Sequence, residues 1–293
     1  MIQRRRIYEK SAPSRDAQKI YIVCEGKERE KEYFEFFQGI STNLQLIIIP
    51  PEGGKTDPVK LMEQAIKVFL SDCPEHRLDE SEKDLVWFAI DTDTWMEEGK
   101  VQKLAGFCSE QNEGKVYSMW NIAQSNPCFE TWLYYHVYAE KPEVLKVASY
   151  CSMKEFVNTM ILGGFNCSIH PMYIKEAIQN SEANYEERDG YPELFATQMH
   201  LLGKTILKYA KEFDGMHKGD ILAYIFGDAQ YLYYTIDETY YSLEAFLKEH
   251  EEFCLEELML PDNFPGNTNG MLTLVPGEYD TDGFFIARLR RKA

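Results

Sequence analysis

Lys19-Ile-Tyr-Ile-Val-Cys24 is a short apolar run rich in β-branched and aromatic residues, a composition that predicts a buried β-strand. Three more runs of this kind follow, at Leu44–Pro50, Asp84–Ile90 and Lys115–Ile122. Segments of helical composition separate them. Because strands that alternate with helices form parallel sheets covered on both faces, the sequence predicts an α/β fold whose sheet occupies residues 18–125.

The segments between these strands predict helices on both faces of the sheet. Glu28–Gln38 is rich in Glu, Lys and Phe, and Trp95–Glu110 also has a helical pattern. Pro58 marks the start of another helix, with Thr56 or Asp57 as its N-cap. Proline is tolerated at the first helical position, and short polar side chains cap the free N–H groups there.

Composition changes twice along the chain, which predicts how it is divided. A basic arm over residues 1–17 precedes the sheet and a helical part over 126–212 follows it, so we expect one domain over 1–212. The remaining residues, 213–293, form a separate C-terminal segment. Within it the pattern predicts a strand, a helix and an antiparallel β-hairpin, at Asp220–Phe226, at Tyr241–Glu251, and at Met271–Val275 with Gly283–Leu289.

The composition excludes several classes of protein. The 293 residues include 31 Lys and Arg against 48 Asp and Glu, a formal net charge of −17 that argues against non-specific coating of nucleic acid. No apolar run is long enough to span a bilayer, and no apolar signal core follows the N-terminus. Seven cysteines without a CxxC pair indicate reduced thiols. We therefore expect a soluble cytoplasmic protein without a membrane partner.

Acidic side chains follow three of the predicted strands. Glu25 comes directly after the first, Asp91 and Asp93 follow the third, and Glu130 comes shortly after the fourth. Sites in open parallel sheets form outside the carboxyl ends of the strands, which lie about 4.8 Å apart. Because side chains alternate along a strand, Asp91 and Asp93 would point to the same side if the strand geometry continues to Asp93. Carboxylates of this kind suit Mg²⁺ or Mn²⁺ and hence phosphodiester hydrolysis or transfer.

Each of these features also has a simpler interpretation. A DxD sequence at a strand end often caps a helix. Asn126 could hydrogen-bond a metal shell or cap the helix that begins near it, and a core role is favoured for His136. The N-terminal arm either frays in solvent or contacts phosphate through three consecutive arginines, Arg4, Arg5 and Arg6.

Three motifs resemble those of RloB-like proteins, over about residues 3–208. Cys24-Glu-Gly-Lys-Glu-Arg-Glu-Lys-Glu-Tyr-Phe34 is similar to the EGxxTExxYF motif of that family, and Ile90-Asp-Thr-Asp93 to its strand-end DxD. Ser125-Asn-Pro-Cys-Phe-Glu-Thr-Trp-Leu-Tyr-Tyr-His136 is similar to SNPxFExWLxxH, the most specific of the three. Arg29 departs from the pattern, because the family has Thr there; its charge would offset acidic repulsion or contact phosphate.

This resemblance implies a fold, an activity and partners. RloB-like proteins belong with Toprim-type metal-dependent domains and are found near restriction and abortive-infection genes, often beside an ABC-type ATPase. A Toprim-like sheet and a nuclease-like effector in phage defence are therefore implied. Glu25 would be the general acid/base and a member of the metal shell, and Asp91 and Asp93 would hold Mg²⁺ or Mn²⁺. Glu30 and Glu130 match further motif acids and would complete the site.

The C-terminal residues resemble a different family. Asp282-Gly-Phe-Phe-Ile-Ala-Arg-Leu289 and the residues before it are similar to the end of Sun/NOL-type RNA cytosine-5 methyltransferases, over about 50–80 residues. The chain lacks that family's S-adenosylmethionine loop and catalytic cysteine pair, and Thr235-Ile-Asp237 stands where the family has TCT. We therefore do not expect methyltransferase activity.

Three hypotheses about function follow from the sequence. The first is a Mg²⁺- or Mn²⁺-dependent nuclease that cleaves DNA or RNA in phage defence. The second is a non-catalytic subunit of a defence complex that binds nucleic acid or a partner such as the ATPase. The third is an RNA-modification accessory protein. A homo-oligomer is compatible with each of them.

Overall fold

The structure is a computed structural model that describes residues 12–53, 57–161, 164–168, 170–210, 231–234, 246–248, 250–256, 271–274 and 284–292. The chain forms two compact units, Met1–Met216 and His217–Ala293, and each is described by itself. Several predictions lie outside the described residues: the arginines at 4–6, the cap candidate Thr56, the strand at 220–226 and the segment at 235–237.

The larger unit is built on a sheet of four parallel strands. They are β1 (Gln18–Cys24), β2 (Leu44–Ile49), β3 (Leu85–Asp91) and β4 (Trp120–Ser125), in the order β2-β1-β3-β4. All three neighbouring pairs are parallel, which confirms the predicted α/β class. Their carboxyl ends therefore meet at one edge of the sheet.

The fourth strand begins and ends later than predicted. Residues 115–119 precede the strand, and the side chain of Asn112 fixes its start by accepting from Trp120 N at 2.9 Å and donating to Trp120 O at 2.8 Å. The strand continues through polar residues because their buried side chains are satisfied. Gln124 donates to Thr92 Oγ1 at 2.9 Å, and Ser125 Oγ lies 2.8 Å from Thr197 Oγ1. An apolar pattern alone could not place these two residues in a strand.

Helices cover both faces of the sheet. The core on one face joins Tyr21, Val23 and Phe88 of the sheet to Leu61 and Leu104 of two helices. Alternate residues of β1 such as Ile20 and Ile22 are also fully buried, as expected for a parallel sheet covered on both sides. The helices between the strands are α1 (Arg29–Glu35), α2 (Pro58–Ala65, extended by a π-helical turn over Ile66–Leu70) and α3 (Lys100–Asn112).

Asp57 is the N-cap of α2, which confirms one of the two predicted cap residues. Its Oδ1 accepts hydrogen bonds from Val59 N at 3.0 Å and Lys60 N at 3.1 Å, and Pro58 occupies the first helical position. These bonds satisfy N–H groups that have no partner inside the helix. They also fix the loop that follows β2.

The residues after β4 form a mainly helical extension. A two-stranded hairpin within it, β5 and β6, was not predicted, because its strands are only two residues long. Thr197 forms an isolated antiparallel bridge with Ser125, which ties the extension to the end of β4. The elements are α4 (Glu130–Tyr134), α5 (Val144–Val147), α6 (Met153–Met160), a 3₁₀ turn (His170–Tyr173), α7 (Ile174–Ala183), β5 (Glu187–Arg188), β6 (Tyr191–Pro192) and α8 (Met199–Tyr209).

The smaller unit is antiparallel. Its described strands are β7 (Tyr231–Tyr234), β8 (Phe253–Leu255), β9 (Met271–Leu274) and β10 (Phe284–Arg291), and β10 pairs with each of the other three. The β9–β10 pair confirms the predicted hairpin. Residues 246–248 are helical within the predicted helix, whereas Glu251 lies in a turn. Within the described residues of the chain, no helix is long and apolar enough to cross a membrane.

Candidate functional site

The ends of β1 and β3 are joined by an acidic side chain. Glu25 follows β1, and its backbone N donates to Ala89 O at 3.0 Å, which continues the strand pairing by one residue. Its Oε2 accepts a hydrogen bond from Asp91 N at 2.9 Å. Glu25 is only 8% exposed, so this carboxylate is buried at the edge of the sheet beside the last residue of β3.

The end of β3 is joined in turn to the start of α4. Asp91 Oδ1 accepts from the backbone N of Phe129 at 2.8 Å, and Phe129 is the N-cap residue directly before Glu130. A carboxylate is favourable near the free N–H groups of a helix start. Glu130 thus begins its helix beside Asp91, so the acids predicted after the third and the fourth strand lie close together.

Repulsion among neighbouring carboxylates shows which acids share this place. Burial raises the pKa of Asp91 well above its usual range, and Glu25, Glu30, Glu130 and Asp93 each raise it further. Burial likewise raises the pKa of Glu30 and of Asp93, and Glu130 adds to both. These five acids, which we call the acidic cluster, therefore include every carboxylate that the motifs predicted for the site.

Glu25 has the most balanced environment of the cluster. Burial raises its pKa, the hydrogen bonds from Asp91 N–H and from the Trp95 indole lower it, and Asp93 and Glu30 raise it again, to about 7. Because burial outweighs the two hydrogen bonds, the neutral acid and the carboxylate are both accessible near neutral pH.

Asp93 joins the cluster by a different route from the one predicted. The strand ends at Asp91, and Asp93 has a φ of +34°, in the left-handed region that aspartate tolerates better than most residues. Thr92 N donates to Ser125 O and Pro127 O, and Asp93 N donates to Pro127 O at 3.3 Å. Strand alternation, the condition of the prediction, therefore ends before Asp93; a turn held by the Pro127 carbonyl carries Asp93 toward Glu130.

Glu30 reaches the cluster by folding back over Gly26. Its Oε1 accepts from Gly26 N at 2.9 Å. A Cβ atom at Gly26 would lie 1.6 Å from Glu30 Oε2, so the carboxylate occupies the space that any other residue would fill. A larger residue at position 26 would displace the Glu30 carboxylate, a constraint that no periodic pattern in the sequence indicates.

A comparison with family models identifies the family of the chain. The model described as RloB-like protein matches residues 20–206, more than half of the chain. The chain belongs to the RloB-like family. The match includes the whole acidic cluster and ends before the smaller unit of this RloB-like protein begins. No curated protein and no solved structure matches the chain.

Gly26→Ala tests the packing of Glu30 in the acidic cluster. The new methyl group displaces the Glu30 carboxylate, and we expect the metal-dependent activity proposed below to fall about 10- to 100-fold, the usual effect of disturbing groups that hold a metal site. Gly106→Ala is the matched control, because a Cβ at Gly106 in α3 meets nothing within 4 Å. Activity should be compared in Gly26→Ala, Glu30→Gln and the double variant.

The activity losses of Gly26→Ala and Glu30→Gln should not add in the double variant, since both changes remove the Glu30 carboxylate from the site. Full activity in Gly26→Ala would show that Glu30 does not act where the structure places it.

Arg29 stands beside the acidic cluster but its guanidinium contacts the helical extension. Nη1 donates to Phe165 O at 3.0 Å, and Nη2 donates to Asn158 Oδ1 at 3.5 Å. Although burial raises the pKa of Glu30, the charge of Arg29 acts in the opposite direction. This placement fits the predicted role of offsetting acidic repulsion, and phosphate binding by Arg29 stays a prediction.

Two weaker candidates have structural roles. Asn126 does not cap α4, because the N-cap is Phe129, without a side-chain bond; instead Asn126 Nδ2 donates to Pro192 O at 2.8 Å. His136 is buried, with Nε2 3.0 Å from Tyr33 Oη and Nδ1 3.0 Å from Trp132 O. Burial lowers its pKa to about 3, so it is a neutral core histidine.

Trp95 is a member of the site that sequence reasoning missed. Its Nε1 donates to Glu25 Oε1 at 2.8 Å, and the ring is half-buried against the core. The sequence predicted Trp95 inside a helix over 95–110, whereas α3 begins only at Lys100 and Trp95 lies in the loop before it. The signal that could have found it is an aromatic N–H donor two residues after the DxD motif, in a loop at the carboxyl edge of the sheet.

The residues present fit a hard divalent cation by their chemistry. All five members of the acidic cluster offer carboxylate oxygens, which Mg²⁺ and Mn²⁺ prefer, and their mutual repulsion is relieved by a bound cation. Among the residues that the structure describes, no three His, Cys, Asp or Glu side chains are already arranged to hold a metal. Oxygens of Glu25, Glu30 and Asp91 accept N–H bonds instead. Each carboxylate oxygen has two lone pairs, so these bonds leave capacity for a cation.

Proposed function

We propose that this RloB-like protein is a Toprim-type, metal-dependent phosphodiesterase that cleaves DNA or RNA. The observation that carries the proposal is the set of hydrogen bonds that joins the acids after β1 and β3 to the start of α4 at the carboxyl edge of a parallel sheet. The members of this acidic cluster are Glu25, Glu30, Asp91, Asp93 and Glu130. Ligand sites in open α/β sheets form at this edge. Like charges held close together, with Glu25 and Glu30 buried among them, have a stability cost, which a catalytic role explains.

The proposed roles follow from the environment of each acid. Asp91 and Asp93 follow one strand and would hold Mg²⁺ or Mn²⁺, with Glu130 beside them. A bound cation supplies Lewis acidity at a phosphoryl oxygen. Glu25, with its pKa raised by burial to about 7, takes up or releases a proton near neutral pH, as a general acid/base requires. Its two N–H donors hold the carboxylate in place during this exchange.

The biological setting proposed is phage defence, together with an ABC-type ATPase and a cytoplasmic location. The family membership supports this setting, and the acidic surface of the chain favours a local contact with one phosphate backbone over general binding. In such a contact the arginines of the N-terminal arm would bind phosphates, while a cation shields the acids.

Purified protein incubated with Mg²⁺ or Mn²⁺ and single- or double-stranded DNA or RNA tests the proposal. We expect cleavage that EDTA abolishes and that is lost in Asp91→Ala and Glu25→Ala. Glu82→Gln, in the exposed loop before β3, is the matched control and should cleave normally. Absence of cleavage with either metal, with and without the partner ATPase, would favour a non-catalytic binding subunit.

A further inference from the structure

The carboxylate of Glu25 is held from two sides by groups of different origin. The backbone N–H of Asp91 binds Oε2 at 2.9 Å, and the indole N–H of Trp95 binds Oε1 at 2.8 Å. Two donors on two oxygens fix the plane of the carboxylate as well as its position. The first donor belongs to the sheet, and the second is a side chain outside it.

The indole of Trp95 is itself held by Lys100, the first residue of α3. The ammonium group of Lys100 lies 4.3 Å from the centre of the ring, and Lys100 N donates to Trp95 O at 2.9 Å. A cation over the face of an indole is attracted by the π electrons. Trp95 N also donates to Thr92 O at 3.0 Å, so both backbone and ring are held.

Lys100 is in turn fixed by two carboxylates. Its Nζ lies 3.2 Å from Asp57 Oδ2 and 2.7 Å from Glu98 Oε2. Asp57 is the N-cap of α2, so the contacts run from the loop after β2 through Lys100 and Trp95 to Glu25. Asp57, Lys100 and Trp95 all lie outside the acidic cluster.

We infer that Trp95 is a positioning residue, which fixes the orientation of the Glu25 carboxylate through its indole N–H and is itself held by Lys100. This inference rests on the proposed phosphodiesterase function. The chemistry stays with Glu25, and Trp95 acts through its hydrogen bond to that carboxylate. Removing the N–H while keeping an aromatic ring should therefore affect turnover and leave substrate binding and folding largely intact.

Trp95→Phe removes the indole N–H but keeps an aromatic ring that can still pack on the core and face Lys100. We expect kcat to fall about 10- to 100-fold, the usual range for groups that orient a catalytic residue, while KM changes less than about threefold. Lys100→Met, which loosens the indole without removing its N–H, should lower kcat by a smaller factor. Gly106→Ala serves again as a control in α3 and should match the wild type.

A wild-type kcat in Trp95→Phe overturns the inference while leaving the phosphodiesterase function intact. A loss that only follows the unfolded fraction of Trp95→Phe, measured by urea unfolding under assay conditions, also overturns it, since a structural role explains that result.

The contact can also be tested without activity. The indole N–H resonance of Trp95, assigned by its loss in Trp95→Phe, should shift clearly in Glu25→Gln and remain unchanged in Glu82→Gln. An indole resonance that does not respond to Glu25→Gln overturns the inference. If the wild type cleaves nothing, the proposed function fails by itself, and this measurement still decides whether Trp95 holds Glu25.

Discussion

Replacing Asp91 by Asn is expected to lower metal-dependent cleavage about 10³-fold while making the metal-free protein more stable. Activity falls because a neutral amide is a poor ligand for a hard cation and leaves the phosphoryl charge less stabilised. Stability rises because burial and four neighbouring carboxylates disfavour a charge at this position. Asparagine keeps an oxygen that accepts from Phe129 N, so the start of α4 remains attached. We therefore expect a higher free energy of unfolding for metal-free Asp91→Asn than for wild type at neutral pH.

Urea unfolding in EDTA at pH 7.5 and cleavage assays with Mg²⁺ measure the two effects. Asp91→Ala is the comparison, because it also removes the charge but leaves Phe129 N without its acceptor, at a cost of about 1–3 kcal/mol. We expect both variants to be inactive and only the asparagine variant to be stabilised. A metal-free Asp91→Asn protein that is less stable than wild type would contradict the proposed repulsion within the acidic cluster.

The stability of the metal-free protein should also contain a contribution from Glu25 that decreases as pH rises from about 4.5 to 7. Its pKa is raised from the ordinary 4.5 to about 7, mainly by burial, so the folded protein binds this proton more tightly than the unfolded chain does. The neutral acid is present in both states below pH 4.5, and stability is lost as the pH rises through the folded pKa. A shift of this size corresponds to about 3 kcal/mol.

Unfolding free energies of wild type and Glu25→Gln, measured in EDTA between pH 4 and 8, isolate this contribution. Other carboxylates titrate in both proteins, so the difference between the two curves is the quantity to compare. Glutamine loses one of the two N–H bonds at every pH, which offsets its curve without changing the slope. Parallel curves would contradict the raised pKa. Adding Mn²⁺ should stabilise wild type more at pH 8 than at pH 5, because the cation binds the ionised acids.

The sequence by itself determined the class of fold and the acids of the candidate site. Apolar runs with β-branched residues mark buried strands, and the alternation with helices leaves a parallel sheet as the arrangement that buries them. Acids directly after Cys24 and Ile90 therefore had to lie at the same edge. The antiparallel pair near the C-terminus was also predicted from the sequence, since both of its strands contain several apolar residues.

Only the tertiary structure decided how these acids are held. The order β2-β1-β3-β4 places the end of β1 against the end of β3, and Glu25 then meets Asp91 N and the Trp95 indole. The left-handed turn at Asp93 depends on a hydrogen bond to the Pro127 carbonyl. The fold of Glu30 over Gly26 depends on the absence of a Cβ atom at that glycine. Periodicity reports which residues are buried. It carries no information about which distant donor a buried carboxylate meets, because that depends on how strands far apart in sequence pack together.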